Sequence, residues 1–431
     1  MHQCNMSTTL TTPLVSGLAE HLIGSEIIRI AGDINGRIAQ GERIHNLTIG
    51  DFDPAVFPLP ARLRELIQQA YGDGLSNYPP ANGVMELRRA VGQLLQRNLG
   101  LEYAADDILV AAGARPVIYA AYKAVVDPGE RVVYPVPSWN NNHYAYLHQA
   151  QKIEVQATPE DRFLPTADEL RPHLPGAALL ALCSPLNPTG TSFTHEQLAA
   201  ICDLVLEENA RRRGAKPLYV LYDQIYHELV LGGSRHVDPV SLRPDMRPYT
   251  IYVDGISKSL AATGVRVGWG FGPSVVMRKM AAILGHVGAW APKPEQMATA
   301  RFLAEPAYEQ AVTRHRRMVE ERVEAYHRGF LQLKAEGLPV DVIPAQGAIY
   351  LSVRIGIIGR ATAEGQVLKD AMDATNYLIQ NAGVGMVPFF AFGTGRESDW
   401  FRISVGTTRM DMVPEVIGGL RKAIRELVNV R

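Results

Sequence analysis

The stretch Thr250–Phe271, TIYVDGISKSLAATGVRVGWGF, is the most informative in the chain. It opens on a short apolar run, Thr250–Val253, breaks into the polar pair Ser257-Lys258, and returns to an apolar run at Val267–Phe271. Both runs are too short for helices and lack the polar alternation of a half-exposed strand. They read as strands covered on both faces. Further out, similar runs recur at Ile108–Ala112, Arg131–Tyr134, Lys152–Gln156, Ala178–Cys183 and Leu218–Tyr222. Helical patterns lie between them. One runs from Pro116 to Val126, with Pro at its start and the stop Asp127-Pro128-Gly129 after it. Another runs from Thr194 to Arg212 and opens on the capping-box-like Thr-His-Glu-Gln. Its charged end, Glu207 to Arg213, reads as a solvated face.

Strands alternating with helices predict an α/β fold: a three-layer α/β/α large domain around a mostly parallel, seven-stranded sheet. We expect this large domain over 61–315. A long helical stretch near Glu309 to Leu338 leads into a small C-terminal α+β domain, 316–431. Residues 1–60 are an N-terminal arm and a Pro- and Gly-rich segment expected to pack on the small domain. Two domains agree with the length of 431 residues.

Composition narrows the class. The chain is 47% apolar and 20% charged with a net charge of −1, a balance that argues against nucleic acid as a partner. No 18-residue apolar run predicts a membrane span. The polar, Thr-rich Met1–Leu14 reads as a flexible arm and not as a signal peptide. Three cysteines, Cys4, Cys183 and Cys202, fit neither a disulfide framework nor a metal site. A cytoplasmic location is the expectation.

In an open α/β sheet, ligands bind at the carboxyl ends of the strands. Here those ends carry Gly113-Ala114-Arg115, Ser138-Trp139, Asn187-Pro188-Thr189-Gly190, Asp223 to Tyr226, and Ser257-Lys258. Gly113-Ala114-Arg115-Pro116 leads from a strand into a helix start, where exposed N–H groups favour a phosphate. Ser257 and Arg266 flank Lys258 and offer a hydroxyl and a guanidinium to the same anion. Trp139 suits stacking on a flat ring. Asp223 suits a protonated ring nitrogen, although it also suits a helix N-cap. Asn187 and Tyr226 suit a phenolic oxygen. Lys258 suits a Schiff base with an aldehyde. Aldehyde, phenol, pyridine and phosphate occur together in pyridoxal 5'-phosphate (PLP), and the lysine and the pyridinium partner are what a protein contributes to it.

Five motifs then resemble one family in order. Ser257 to Gly268, SKSLAATGVRVG, is similar to the cofactor-lysine motif of class I/II aminotransferases, of PLP fold type I. Asn187-Pro188-Thr189-Gly190 resembles that family's Asn-Pro-x-Gly element, and Asp223 to Tyr226 its Asp-x-x-Tyr element. Tyr78 to Gly83, followed by Leu87-Arg88, resembles the segment whose Tyr reaches the phosphate of the neighbouring subunit. Phe401-Arg402-Ile403-Ser404 resembles the strand whose Arg grips the substrate α-carboxylate. The resemblance runs from about Asn46 to the C-terminus.

The resemblance implies an aminotransferase acting on an L-amino acid and a 2-oxo acid by ping-pong Schiff-base chemistry. Its catalytic set would be Lys258, Asp223 and Tyr226. Cofactor contacts would come from Ala114, Arg115, Trp139, Asn187, Ser257, Arg266 and Tyr78. Arg402, Gly50, Asn187, Trp139 and Arg115 would meet the substrate. It further implies a homodimer with a shared active site. Arg115 stands where relatives near the prokaryotic aspartate aminotransferases carry a Lys for the side-chain carboxylate. That favours aspartate or glutamate, beside the plainer reading of a surface or phosphate contact. Gly50 reads equally as a turn glycine, and Tyr350 as positional or functional. The segment Asn140 to His143 is one residue longer than in common members, so His143 stays out of the catalytic set. Trp290 and Lys293, in an unusual segment, are candidates for reshaping specificity. Other fates of the same carbanion stay open: C–S lyase, decarboxylase or synthase. A non-catalytic regulatory protein on this fold is the further alternative.

Overall fold

The structure, a computed structural model, describes residues 14–429. The arm expected over Met1–Leu14 therefore falls, except for Leu14, outside the described residues. All seven expected strands form: β1 (Ile108–Ala111), β2 (Arg131–Val136), β3 (Gln151–Gln156), β4 (Ala177–Cys183), β5 (Tyr219–Asp223), β6 (Thr250–Gly255) and β7 (Gly268–Phe271). They make one sheet of order β1-β7-β6-β5-β4-β2-β3. β2 to β6 pair in parallel, while β7 runs antiparallel to both β1 and β6.

The absence of polar alternation in these strands has its structural counterpart. Val110, Leu180, Val220 and Tyr252 face one apolar core, formed with helices such as Met85–Leu99 and His195–Arg212. Their neighbours Leu109, Leu179, Leu221 and Ile251 face a second core, formed with helices Ala114–Val125 and Ser274–Val287. Both faces of the sheet are covered over its central strands, so their positions are under pressure to be apolar, whereas the edge strand β3 keeps exposed polar residues such as Gln151, Lys152 and Gln156.

Helix starts follow the local chemistry. Thr194 closes a capping box: its hydroxyl accepts from the Gln197 N–H at 3.2 Å, and Gln197 Oε1 accepts from the Thr194 N–H at 3.1 Å. Contrary to the solvated face expected from sequence, the charged end of that helix is partly buried. Glu208 is buried and accepts from Arg212 Nε at 2.9 Å and from the Gly176 N–H at 3.3 Å. The helix expected from Pro116 begins earlier, at Ala114, because Gly113 takes a φ of 93° and turns the chain directly off β1.

A second, four-stranded antiparallel sheet contains β8 (Val340–Ile343), β9 (Tyr350–Ile355), β10 (Val387–Pro388) and β11 (Trp400–Ser404), in the order β10-β11-β9-β8. Its core is closed by the 30-residue helix Pro306–Ala335 and by Met412–Glu426. Segments before residue 60 make contacts here. His45–Asn46 pairs in parallel with Val384–Gly385, and helix Glu26–Ala39 buries Ile30 and Ile34 against Ile379. No helix among the described residues is long and apolar enough to cross a membrane.

Candidate active site

The carboxyl ends of β2, β4, β5 and β6, the start of helix Ala114–Val125, and two residues of the smaller sheet line a single crevice of about 790 Å³. Of the residues singled out from sequence, Gly50, Ala114, Arg115, Trp139, Asn187, Asp223, Tyr226, Ser257, Lys258, Arg266 and Arg402 all line it. Most come from the carboxyl ends of strands that point the same way, which brings them together. Arg266 instead precedes the antiparallel β7, Arg402 lies within β11 of the smaller sheet, and Gly50 lies on a loop.

Lys258 follows β6 in a single helical turn, Ile256–Ser259. Its Nζ donates to the carbonyl of Gly50 at 2.6 Å. Burial lowers its pKa to about 8; Asp51 opposes the shift, and the cations of Arg402, Arg115 and Arg266 add to it. A neutral amine is thus accessible near neutral pH, as a nucleophile or base requires.

Asp223 ends β5. Burial pushes its carboxyl up to about 7, against the Ile225 N–H that donates to Oδ1 at 3.1 Å, and the carboxylate of Asp254 adds to the rise. The contact with Ile225 closes a local turn but not the helix N-cap that the sequence also allowed, since the next helical turn, His227–Leu229, is preceded by Tyr226. This turn leaves a carboxylate in the crevice with no cationic side chain in hydrogen-bond reach among the described residues. His143 lines the crevice but makes no hydrogen bond to Asp223.

The anion-binding end is built around Gly113. Arg266, itself at a φ of 61°, lies directly on this glycine and donates to the carbonyls of Thr263 at 2.6 Å and Ala112 at 2.7 Å. A Cβ at Gly113 would collide with the guanidinium. The guanidinium and the N–H groups opening helix Ala114–Val125 thus lie side by side. Ser257 is buried at the same crevice.

At the other end Arg402 is 1% exposed. One terminal nitrogen donates to Asn187 Oδ1 at 3.0 Å and the other to the Thr48 carbonyl at 2.6 Å, both neutral acceptors. Its Nε has no partner. Asn187 therefore has its amide N–H groups left to offer. Arg115 is exposed, has no acidic partner among the described residues, and lies over the Trp139 ring at 4.7 Å.

The crevice thus holds a lysine, three arginines and two carboxylates, Asp51 and the half-buried Asp223, and leaves several of these groups without a charged partner. Arg402 lacks an anion and Asp223 lacks a cation in hydrogen-bond reach, while Arg266 at the Gly113 cradle donates only to carbonyls, with the charge of Asp51 nearby. PLP supplies a phosphate, a protonated ring nitrogen, a phenolic oxygen and an aldehyde, and these residues fit it. No group of His, Cys, Asp and Glu among the described residues is arranged to hold a metal.

Tyr78 does not join the crevice of its own chain. It is 82% exposed and packs edge-on against Trp290 at 5.3 Å, while Lys293 Nζ donates to Asn77 Oδ1 at 2.6 Å. Trp290 and Lys293 likewise do not line the crevice. Several lining residues escaped the sequence reading. Asp51 Oδ1 accepts from the Thr263 hydroxyl at 2.7 Å, and Leu22, Ile23, Ile27 and Ile28 form an apolar wall. These lie on segments far apart in sequence with no local pattern to mark them. Gly50 has a structural reason of its own, since a Cβ there would come within 2.8 Å of the Tyr350 hydroxyl.

A parallel sheet with this crevice at its carboxyl edge defines a PLP enzyme of fold type I. The chain belongs to the aminotransferase class I and II family, whose model matches residues 42–419. An aspartate aminotransferase of Rhizobium meliloti (strain 1021) is 28% identical, covering 90% of this chain and 91% of its own. A probable aspartate/prephenate aminotransferase of Rhizobium leguminosarum bv. phaseoli is 29% identical, covering 86% and 88%. The crystal structure of the aspartate aminotransferase from Rhizobium meliloti superimposes with a TM-score of 0.88 at 26% identity, covering 97% of this chain and 100% of that one.

Proposed function

We propose that this PLP-dependent aminotransferase takes its amino group from an acidic L-amino acid, aspartate or glutamate, and passes it to a 2-oxo acid. The observation that carries this reading is the pair of cations without acidic partners, Arg402 and Arg115, at one crevice with Lys258. One serves the α-carboxylate and the other the side-chain carboxylate. Relatives named for aspartate support it. The apolar wall of Leu22, Ile23, Ile27 and Ile28 leaves room for a bulkier acid as well, and one relative is named for prephenate beside aspartate.

The bound cofactor supplies an electron sink for the substrate carbanion. The chain does the rest. Lys258 holds the aldehyde and, once displaced, takes the proton from the substrate Cα with its Nζ. Asp223 accepts the ring N–H, which keeps the nitrogen protonated. Tyr226 and Asn187 donate to the phenolic oxygen. Ser257, Arg266 and the N–H groups at Ala114 and Arg115 anchor the phosphate. Trp139 packs on the ring, Gly50 closes the substrate side, and Arg402 orients the α-carboxylate. The large unit of 61–315 provides the cofactor floor and 316–431 the carboxylate grip. The working form is a cytoplasmic homodimer in which Tyr78 of each subunit completes its partner's phosphate site.

The test is chemical. The purified protein is expected to be yellow, and borohydride to fix the cofactor onto Lys258. Lys258→Ala is expected to bind PLP yet lose transamination. A reduced adduct mapped to another lysine, or no PLP bound after reconstitution, sinks the reading.

A further inference from the structure

Two buried tyrosine hydroxyls share one hydrogen bond at the centre of the crevice. Tyr226 Oη and Tyr350 Oη are 2.8 Å apart, with the residues 3% and 1% exposed. Burial raises the pKa of both, so each keeps its proton at working pH. Between two neutral hydroxyls the bond has two directions. If Tyr226 donates to Tyr350, its proton is withheld from the crevice. If Tyr350 donates to Tyr226, the Tyr226 proton is free to point into the crevice, and Tyr226 becomes the stronger donor.

The surroundings select the second direction. The Arg402 guanidinium lies over the Tyr350 ring at 4.5 Å. Its charge opposes the burial that raises both tyrosines, as the leading opposing cause at Tyr350, whose ring it covers, and as a minor one at Tyr226, which favours Tyr350 as the donor. Gly50 lies beside the Tyr350 hydroxyl with no room for a side chain between them, and Tyr226 is that hydroxyl's one hydrogen-bond partner among the described residues. The arrangement is fixed by the smaller sheet. Tyr350 pairs with Ser404 and Ser352 with Arg402, which puts Tyr350 and Arg402 diagonally on one face of β9 and β11.

We propose that Tyr350 is a positioning residue: its hydroxyl donates to Tyr226 and so turns the Tyr226 proton toward the phenolic oxygen of the cofactor. The inference rests on the PLP reading above. It makes Tyr350 the link between the strand that carries Arg402 and the tyrosine that meets the cofactor.

The test reads the cofactor's absorption in the holoenzyme against pH, without substrate. A phenolic oxygen that receives a stronger hydrogen bond holds its negative charge better and retains the proton on the Lys258 nitrogen less well. Loss of the bond therefore raises the pKa of the chromophore. Tyr226→Phe is expected to raise it most. Tyr350→Phe is expected to raise it by roughly a third as much, in line with cooperative strengthening along a hydrogen-bond chain. The double variant is expected to match Tyr226→Phe alone, because Tyr350 acts only through Tyr226. An unchanged pKa in Tyr350→Phe overturns the proposal, as does an equal rise in the Tyr226→Phe background. A wild-type protein with no titrating chromophore on Lys258 overturns the PLP reading itself. The two failures are thereby distinguished.

Discussion

Asp223 sits at the end of an apolar strand, and burial raises its carboxyl from an ordinary 3.8 to about 7. Between those values the folded, cofactor-free protein holds a proton that the unfolded chain has released. The stability this group contributes is complete below the unfolded value and is lost as pH rises through about 7. Relative to Asp223→Asn, the melting temperature of the cofactor-free wild type is therefore expected to fall from pH 4 to 7. Parallel calorimetric profiles for the two proteins would contradict this. Bound PLP, with a ring N–H for the carboxylate, is expected to remove most of the difference. Arg115 raises a question of magnitude. A desolvated guanidinium–carboxylate pair costs about 2–5 kcal/mol when one side is truncated, but Arg115 is exposed and only stacked on Trp139. Discounting for solvent, Arg115→Ala is expected to cut kcat/KM for aspartate by about ten- to a hundredfold, at about 1.4 kcal/mol per decade. An apolar donor should change little, while Arg402→Ala should harm both. Equal losses for both donors in Arg115→Ala would assign Arg115 to the phosphate or the fold.

At the scale of elements, the junction between β1 and helix Ala114–Val125 makes the phosphate cradle, and Gly113 makes the junction. Its φ of 93° suits glycine alone, and Arg266 occupies the space a side chain would need. An alanine there pays about 1–2 kcal/mol for the backbone and displaces the guanidinium besides. Gly129 provides the control, because its φ is 83° and its Cβ position is open. Both Gly113→Ala and Gly129→Ala are expected to lower stability in denaturant titrations. Only Gly113→Ala is expected to weaken PLP binding, by about tenfold or more for 1.4 kcal/mol lost. Equal PLP affinity in the two variants would remove Gly113 and Arg266 from the cradle.

At the scale of the molecule, the ring of Tyr78 is 82% exposed and rests edge-on against Trp290, outside the crevice of its own chain. A second copy that buries it and takes its hydroxyl to the phosphate explains both. Sedimentation is expected to show a dimer. Tyr78→Phe is expected to lose PLP faster on gel filtration while melting normally without the cofactor. A monomer with full activity would end the shared-site proposal.

The sequence by itself determined the seven strands, most of them apolar throughout because a sheet covered on both faces permits apolar residues at nearly every position; the edge strand Gln151–Gln156, with its exposed polar residues, is the exception. The sequence also marked Lys258, Asp223, Asn187 and Arg402, since each stands in a short motif, the first three at strand ends and Arg402 within β11. Helix bounds were legible to within a few residues: the capping box at Thr194 marks its start, whereas Gly113 moved the other start to Ala114. What it could not determine was distance across the chain. Tyr350 meets Tyr226 from 124 residues away, Asp51 meets Thr263 from 212, and Arg402 meets Thr48 from 354. No local periodicity encodes such pairs, because they depend on how the smaller sheet sits against the strand ends. Charge state was decided there too. Lysine and aspartate have ordinary pKa values in a sequence, and only burial beside particular neighbours moves Lys258 to about 8 and Asp223 to about 7.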